Sequence, residues 1–298
     1  MTRKSGYARK GVLEVLQDKL EILPPTHKAL GHFLLTHFQE AVFLTASQLA
    51  KKTGTSEASV VRFARSLGCG GFSELREELQ VLLREKLLPA ERIQQAGGIP
   101  LRSEAILDRV MDVALSNIRE TRKLLNPRAL DEAARAIASA HTRYVIGLNA
   151  SAGAATLLGH QLRKIQPEVR VLTEGGPVLF DSVLSISKGD AVLAISYPRY
   201  AKWTAEVLRY AAHKKARTIA ITDSRLSPVG QIAELALIAR VNTITFGCSY
   251  VAPMLAIDAL LAAIFGLNRD ESLARLDLVE RMIEGHDFFF GSPLPNTD

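Results

Sequence analysis

Two groups of residues in this chain of 298 amino acids have the types and spacing to do chemistry. The first lies in LTASQLAKKTGTSEASVVRFARSLGCGGFSELR, positions 44–76, and comprises Thr45, Ser56, Ala58, Ser59, Arg62 and Arg65. Projected at about 100° per residue, Ala58, Val61, Arg62 and Arg65 share one helical face, with Ser59 at its edge. Small residues at the start of such a face permit close approach to a duplex. Hydroxyls can bond phosphates or base edges, and an arginine can fork onto a guanine. The second group comes from GLNASAG, with Gly147, Asn149 and Ser151, and from SYPRY, with Ser196, Tyr197, Arg199 and Tyr200. Backbone N–H groups at a glycine turn, hydroxyls and one fixed positive charge suit a phosphate or carboxylate.

The elements that must position the first group are two short helices and a tight turn. The first helix runs roughly from Ala46 to Thr53, and Ala50 is small where a second helix must cross. Gly54 follows at the point where a left-handed conformation is cheapest for glycine. Ser56 is the expected N-cap of the second helix. Val60, Phe63, Ala64 and Leu67 form its buried stripe, and Gly68 ends it. By spacing alone this is also an ordinary two-helix corner with a solvated basic face. Charge favours the nucleic-acid reading. Residues 1–90 hold 13 Lys+Arg against 9 Asp+Glu, and the remainder holds 24 against 22. Most of the net charge of +6 thus sits in the first third, where phosphate neutralisation would need it. Arg3, Lys4, Arg9 and Lys10 read either as a basic arm or as a frayed terminus. A helix over His27–Glu40 after Pro24-Pro25-Thr26, with Phe33, Leu34 and Phe38 facing the core, and one over Phe72–Lys86 complete this region.

Pro89, Gly97-Gly98 and Pro100 mark a linker, and Ser103–Leu124 reads as a longer helix with Ile106, Val110, Val113 and Leu115 apolar. Asn126-Pro127 ends it, and Arg128–Ala140 forms another. From Arg143 onward the pattern changes. TRYVIGL, EVRVLT, DAVLAIS, RTIAIT and ELALIAR are near-continuous apolar runs, as expected of strands covered on both faces. Ala152–Ile165, Pro177–Ile186 and Ala201–Lys215 can cross between them. Alternation of this kind implies a doubly wound parallel sheet in a three-layer α/β/α sandwich, whose ligands sit beyond the carboxyl ends of the strands. Both site loops fall there. Ser151 is equally a plain N-cap, and Thr222-Asp223-Ser224, at a third strand end, equally plain turn chemistry. The apolar segment Val251–Phe265 is expected to be a helix, either buried or in an oligomer contact.

Composition narrows the remaining classes. No apolar run follows the basic N-terminus as in a signal peptide, and Asp258 interrupts the one stretch approaching a membrane span. Cys69 and Cys248 are isolated, which implies reduced thiols, and no histidine pair has ligand spacing. The G-x-G-x-x-G dinucleotide fingerprint is absent. No catalytic residue, metal, cofactor or membrane partner is therefore expected.

The two halves together resemble a known family. SQLAKKTGTSEASVVRFARSLGCGGFSELR is similar to the helix-turn-helix of RpiR-type (MurR/RpiR) bacterial transcription regulators. VIGLNASAGAA, GDAVLAISYPRYAKWTAEVLRYA, ARTIAITDSRLSPVG and ELALIA resemble, in order, that family's SIS (sugar isomerase) domain. The likeness spans about residues 10–285. It implies an α/β chain with an all-α helix-turn-helix domain at 1–88, a linker and connecting helix at 89–126, an SIS-type domain at 127–285 and a tail at 286–298. It also implies a cytoplasmic homodimer or homotetramer that binds palindromic double-stranded operator DNA and responds to a small-molecule effector, usually a phosphorylated sugar. One departure stands out. Phosphosugar-binding SIS domains carry Ser-x-Ser-Gly-x-Thr, whereas here only Ser196 remains, with Pro198, Arg199 and Ala201 at the other positions. The expected effector is therefore a different anion or an unphosphorylated metabolite, with Arg199 replacing the lost donors. The alternative is a sugar-phosphate isomerase with an accessory domain, which needs an acid/base pair that these loops supply only through Asp223. A third reading is a scaffold that contacts protein.

Overall fold

The first third of the chain turns its apolar periodicity into a small helical core in the computed structural model, which describes residues 12–86, 89–95, 97–100 and 102–283. The basic residues Arg3, Lys4, Arg9 and Lys10 and the tail 286–298 lie outside the described residues. Helices α1 (Val12–Lys19), α2 (Pro25–Thr36), α3 (Phe38–Ala41), α4 (Ala46–Thr53), α5 (Glu57–Ser66) and α6 (Phe72–Lys86) surround Leu30, Leu34, Leu49, Val60, Phe63, Leu75 and Leu79. Phe33 and Phe38 pack partly buried against them. The helix expected over His27–Glu40 is broken at His37. There the Thr36 hydroxyl donates to the His32 carbonyl at 2.7 Å and meets His37 Nδ1 at 2.8 Å, offering the backbone a local alternative to continued helix.

The chain divides into two compact units, residues 1–87 and 88–298. Part of the stretch expected as a linker is helical: α7 (Pro89–Gln95) starts on a proline and stops before Gly97 and Gly98, both left-handed. Helix α8 (Ser103–Leu124) follows as expected, but its burial does not. Val110 and Leu115 are exposed, while Asn117 and Thr121 are fully buried.

The second unit runs α9 (Pro127–Ala138), β1 (Arg143–Ile146), α10 (Ala152–Ile165), β2 (Val169–Leu172), α11 (Pro177–Val183), β3 (Ala191–Ile195), α12 (Lys202–His213), β4 (Arg217–Thr222), α13 (Pro228–Ile232), β5 (Leu235–Ile238), α14 (Val251–Leu267) and α15 (Arg269–Ile283). All five strands are parallel, in the order β2-β1-β3-β4-β5. Alternation along each strand divides the core into two layers. Val145, Leu193, Ile195, Ile219 and Leu237 pack with α9, α10 and α14 through Ile137, Leu158, Ile257 and Leu260. Tyr144, Ile146, Val192, Ala194 and Ala220 face the other way, toward Leu179, Val183, Leu208 and Val229 of α11, α12 and α13. This is the expected three-layer sandwich. Helices α13 and α15 are additions to the sequence reading. The apolar α14 is buried along Ala252, Ala256, Ile257, Leu260 and Ile264, with Val251 and Leu255 exposed. No single helix among the described residues is long and apolar enough to cross a membrane; α14 and α15 reach that apolar length only together, bent by 107°.

Candidate functional site

In the first unit, side-chain caps set the angle of the surface helix. Thr45 and Gln48 form a reciprocal capping box at the start of α4. Gly54 ends that helix at φ 64°, and the Ser56 hydroxyl accepts from the Ser59 N–H at 3.2 Å to start α5. Val60, Phe63 and Ala64 are fully buried, which turns Ala58, Arg62 and Arg65 outward, all exposed. Ser59 departs from the expected surface face. It is buried, its Oγ lies 3.0 Å from Ser56 Oγ, and it accepts from Arg62 Nη2 at 3.0 Å. Its place is to brace Arg62 and the cap, because the edge position rotates toward α5's own N-terminal turn. The hydroxyls of Thr45 and Ser56 are likewise engaged in caps, though both residues are exposed.

In the second unit the strand order reverses between β1 and β3, so their outgoing loops diverge and leave a crevice. A cavity of about 450 Å³ lies there, lined by Asn149 and Ser151 after β1, by Ser196, Tyr197, Pro198, Arg199 and Ala201 after β3, and by Phe246, Gly247, Cys248 and Tyr250. Asn149 and Arg199 both hold left-handed backbone, at φ 53° and 68°. Such conformations in non-glycine residues are uncommon and cluster at functional sites. Helix α12 begins beside the cavity with Ala201 at its N-cap and no side-chain cap bond. Its first N–H groups are thus without the side-chain acceptor that α4 and α5 have. The Tyr197 ring is 4 % exposed and stands edge-on to Tyr250 at 5.5 Å, and its hydroxyl lacks a hydrogen-bond partner. Burial, then the negative charge of Asp223, holds the Tyr197 phenol well above the usual tyrosine range. Burial also raises Tyr250, although its bond to Ser151 Oγ at 3.1 Å works in the other direction. Both phenols stay neutral and can donate.

Of the residues expected at the effector site, Asn149, Ser151, Ser196, Tyr197 and Arg199 line the cavity; Gly147 and Tyr200 do not. Gly147 sits under the turn, where a Cβ would meet Ser151 O at 2.5 Å, so its value is close packing of loop on helix. Tyr200 turns away and donates to Asp223 Oδ1 at 2.7 Å. Ser151 is no side-chain cap, because a 3₁₀ turn over Asn149–Ser151 leads into α10 and frees the hydroxyl for Tyr250. Thr222, Asp223 and Ser224 are fully buried and serve the turn into α13, whose cap is Ser227. Phe246, Cys248 and Tyr250 were missed in the sequence. The signal is present: Phe246 and Tyr250, bulky aromatics in the strand-end loop VNTITFGCSY, obey the same logic as Tyr197. Cys248 is half-buried and Cys69 buried, and neither forms a disulfide. Among the described residues, no group of three or more His, Cys, Asp or Glu gathers to hold a metal.

The loop from Ala239 to Tyr250 walls the cavity at one end and grips α8 at the other. Asn117 makes two bonds to the Asn242 backbone, at 2.7 and 3.1 Å. Thr121 Oγ1 accepts from Arg240 N at 2.9 Å, and Arg240 Nε faces Glu120 at 3.3 Å. Arg240 Nη1 donates to the carbonyl of Asp223, the residue that holds Tyr200. The buried polar residues of α8 are explained by these bonds.

Comparison with known proteins agrees with both halves. Residues 10–86 match the family described as helix-turn-helix domain, rpiR family, and residues 136–263 match the SIS domain. The HTH-type transcriptional regulator YbbH of Bacillus subtilis is 26% identical over 227 residues, covering 76% of this chain and 79% of that one. HexR of Pseudomonas aeruginosa, also an HTH-type transcriptional regulator, is 26% identical over 230 residues, 76% of this chain and 78% of its own. The sugar isomerase domain of an RpiR transcription factor from Sphaerobacter thermophilus superposes with TM-score 0.57 at 31% identity, over 59% of this chain and 98% of that one. Vibrio vulnificus NanR, solved with ManNAc-6P, shares the fold with TM-score 0.53 at 21% identity, over 91% of this chain and 97% of its own. The helical unit with its capped surface helix and the five-stranded sandwich thus carry one identity: the chain belongs to the rpiR family of helix-turn-helix transcription regulators with a C-terminal SIS domain.

Proposed function

We propose that this regulator binds double-stranded operator DNA through α5 and that a small anionic, sugar-derived metabolite in the β1/β3 cavity sets its affinity. The observation that carries the reading is the cavity itself. Arg199 in a left-handed conformation, the start of α12 at Ala201 without a side-chain cap, and the hydroxyl residues Ser151 and Ser196 all line it. Each favours an oxyanion, through charge, backbone N–H groups or O–H donation. Arg199 supplies by charge what the missing Ser and Gly would supply by hydroxyl and backbone donors. That NanR was solved with ManNAc-6P supports a sugar phosphate as the first class to try.

Control of DNA affinity is carried, in this reading, by the loop from Ala239 to Tyr250. A ligand that shifts Phe246 or Tyr250 pulls on the segment anchored to Asn117 and Thr121 of α8, which leads back along the chain to the DNA-binding unit. The isomerase alternative finds less support. Among the described lining residues none is His, Asp or Glu, and Asp223 is buried beneath the loop rather than in the cavity. Homodimers or tetramers follow from the operator requirement, since one short helix reads too few bases to be selective. The test is a footprint of the upstream DNA with and without candidate metabolites. Arg199→Ala is expected to abolish the metabolite response while leaving ligand-free DNA binding intact. An unchanged response in that variant would remove Arg199 from the site.

A further inference from the structure

A second cavity, of about 310 Å³, abuts the first and shares Leu148, Asn149 and Ala201 with it. Its own lining is Thr173 and Gly175 after β2, with Lys202 and Trp203 from the first turn of α12. Trp203 is the one tryptophan of the chain and keeps 41% of its surface exposed. The indole is held rather than loose. It lies so close to Gly175 that a Cβ there would meet Cζ3 at 2.6 Å and Cε3 at 2.7 Å, and Phe180 stands edge-on to it at 6.0 Å. A positioned indole beside a lysine, opening off the cavity at Arg199, is a platform for a ring with an apolar face and a polar rim.

We propose that the two cavities form one bipartite site, in which the anion of the ligand sits near Arg199 and its ring stacks on Trp203 with Lys202 at the ring's polar edge. The ligand is then a ring compound with an apolar C–H face that carries one phosphate or carboxylate group, and acyclic anions are discriminated against. This rests on the anion reading of the first cavity and extends it to the uncharged part of the ligand. It also gives the glycine after β2 a role, since only a residue without a side chain leaves the indole where it stands.

The experiment compares inorganic phosphate, glycerol 3-phosphate and glucose 6-phosphate on the full chain, by calorimetry and by Trp203 fluorescence. Glucose 6-phosphate is expected to bind about tenfold more tightly than glycerol 3-phosphate and to change the Trp203 emission, which inorganic phosphate leaves unaltered. Trp203→Ala should erase the ring's advantage without changing phosphate affinity. Gly175→Ala, which keeps the tryptophan but displaces it, should reduce the advantage too. An advantage that survives Trp203→Ala, or no advantage in the intact protein, overturns the ring subsite. If no probe binds, inorganic phosphate included, the anion reading fails and this subsite with it. If the Trp203 emission depends on protein concentration and not on ligand, a second copy covers the indole and the subsite is again overturned.

Discussion

The surface of α5 and the cavity above β1 and β3 are both proposed to meet phosphate-bearing partners, but they are built in opposite ways. Thr45 through Arg65 is a local device in which caps, a glycine turn and an apolar stripe aim Arg62 and Arg65 outward. The cavity gathers Asn149, Ser151, Ser196, Arg199, Phe246 and Tyr250 from three separate loops, held together by a parallel sheet. A surface set by helical period depends on the packing beneath it. A surface set by topology depends on every crossover being in place.

The largest effect is expected at Phe63, fully buried in the first core. Phe63→Ala should cost about 3–5 kcal/mol of the helical unit's stability. Calorimetry should show its transition moved down while that of the sandwich stays put; a shift of both would mean that the two units unfold as one. Arg62→Ala comes next, with an expected loss of about 1–3 kcal/mol in operator binding and none in metabolite binding. If Arg62 reads a base, specificity relaxes at one position; if it grips phosphate, the salt dependence becomes shallower. The Ser59–Arg62 bond makes Ser59→Ala a milder version of the same change.

How far each region was legible follows from the same difference. Gly54, Ser56 and the Val60–Leu67 stripe speak for themselves, because every partner lies within a few residues. The five strands are nearly as plain, because short apolar runs recur between stretches of helical period, although only β1, β3 and most of β4 are buried throughout. What hid was long-range. Ser59 lay on the face boundary, and only its bond to Ser56 shows which way it turns. Tyr200 looked like a site residue until the fold brought Asp223 beneath it. Tyr250 lies 99 residues from Ser151 in sequence, and no spacing rule pairs them. Asn117 and Thr121 broke the apolar pattern of α8, and their partners at 240–242 were invisible without the structure.

Thr121→Val removes the acceptor for the Arg240 N–H and should cost about 1–3 kcal/mol in the sandwich. Metabolite affinity should persist while the metabolite's effect on DNA binding falls; an unaltered effect would exclude the α8 anchor from the coupling. The smallest change concerns His27, whose ring packs edge-on to Phe63 at 5.6 Å. Burial, then the nearby Arg62 charge, holds its imidazole below the usual histidine range. A folded value below the unfolded one means that protonation opposes folding. The helical unit should therefore be fully stable above about pH 6.5 and lose a little stability as pH falls below it. His27→Gln should flatten that dependence in melting curves taken across this range.

Occupancy of the cavity and the grip of α5 on DNA are proposed to be linked, and linkage is reciprocal. The direct measurement is the operator Kd with and without a saturating metabolite, paired with the metabolite Kd with and without operator. Linkage predicts that both ratios equal the same factor, of about 5–150, and that both fall toward one in Arg199→Ala. A metabolite that fills the cavity yet leaves the operator Kd unchanged would contradict it.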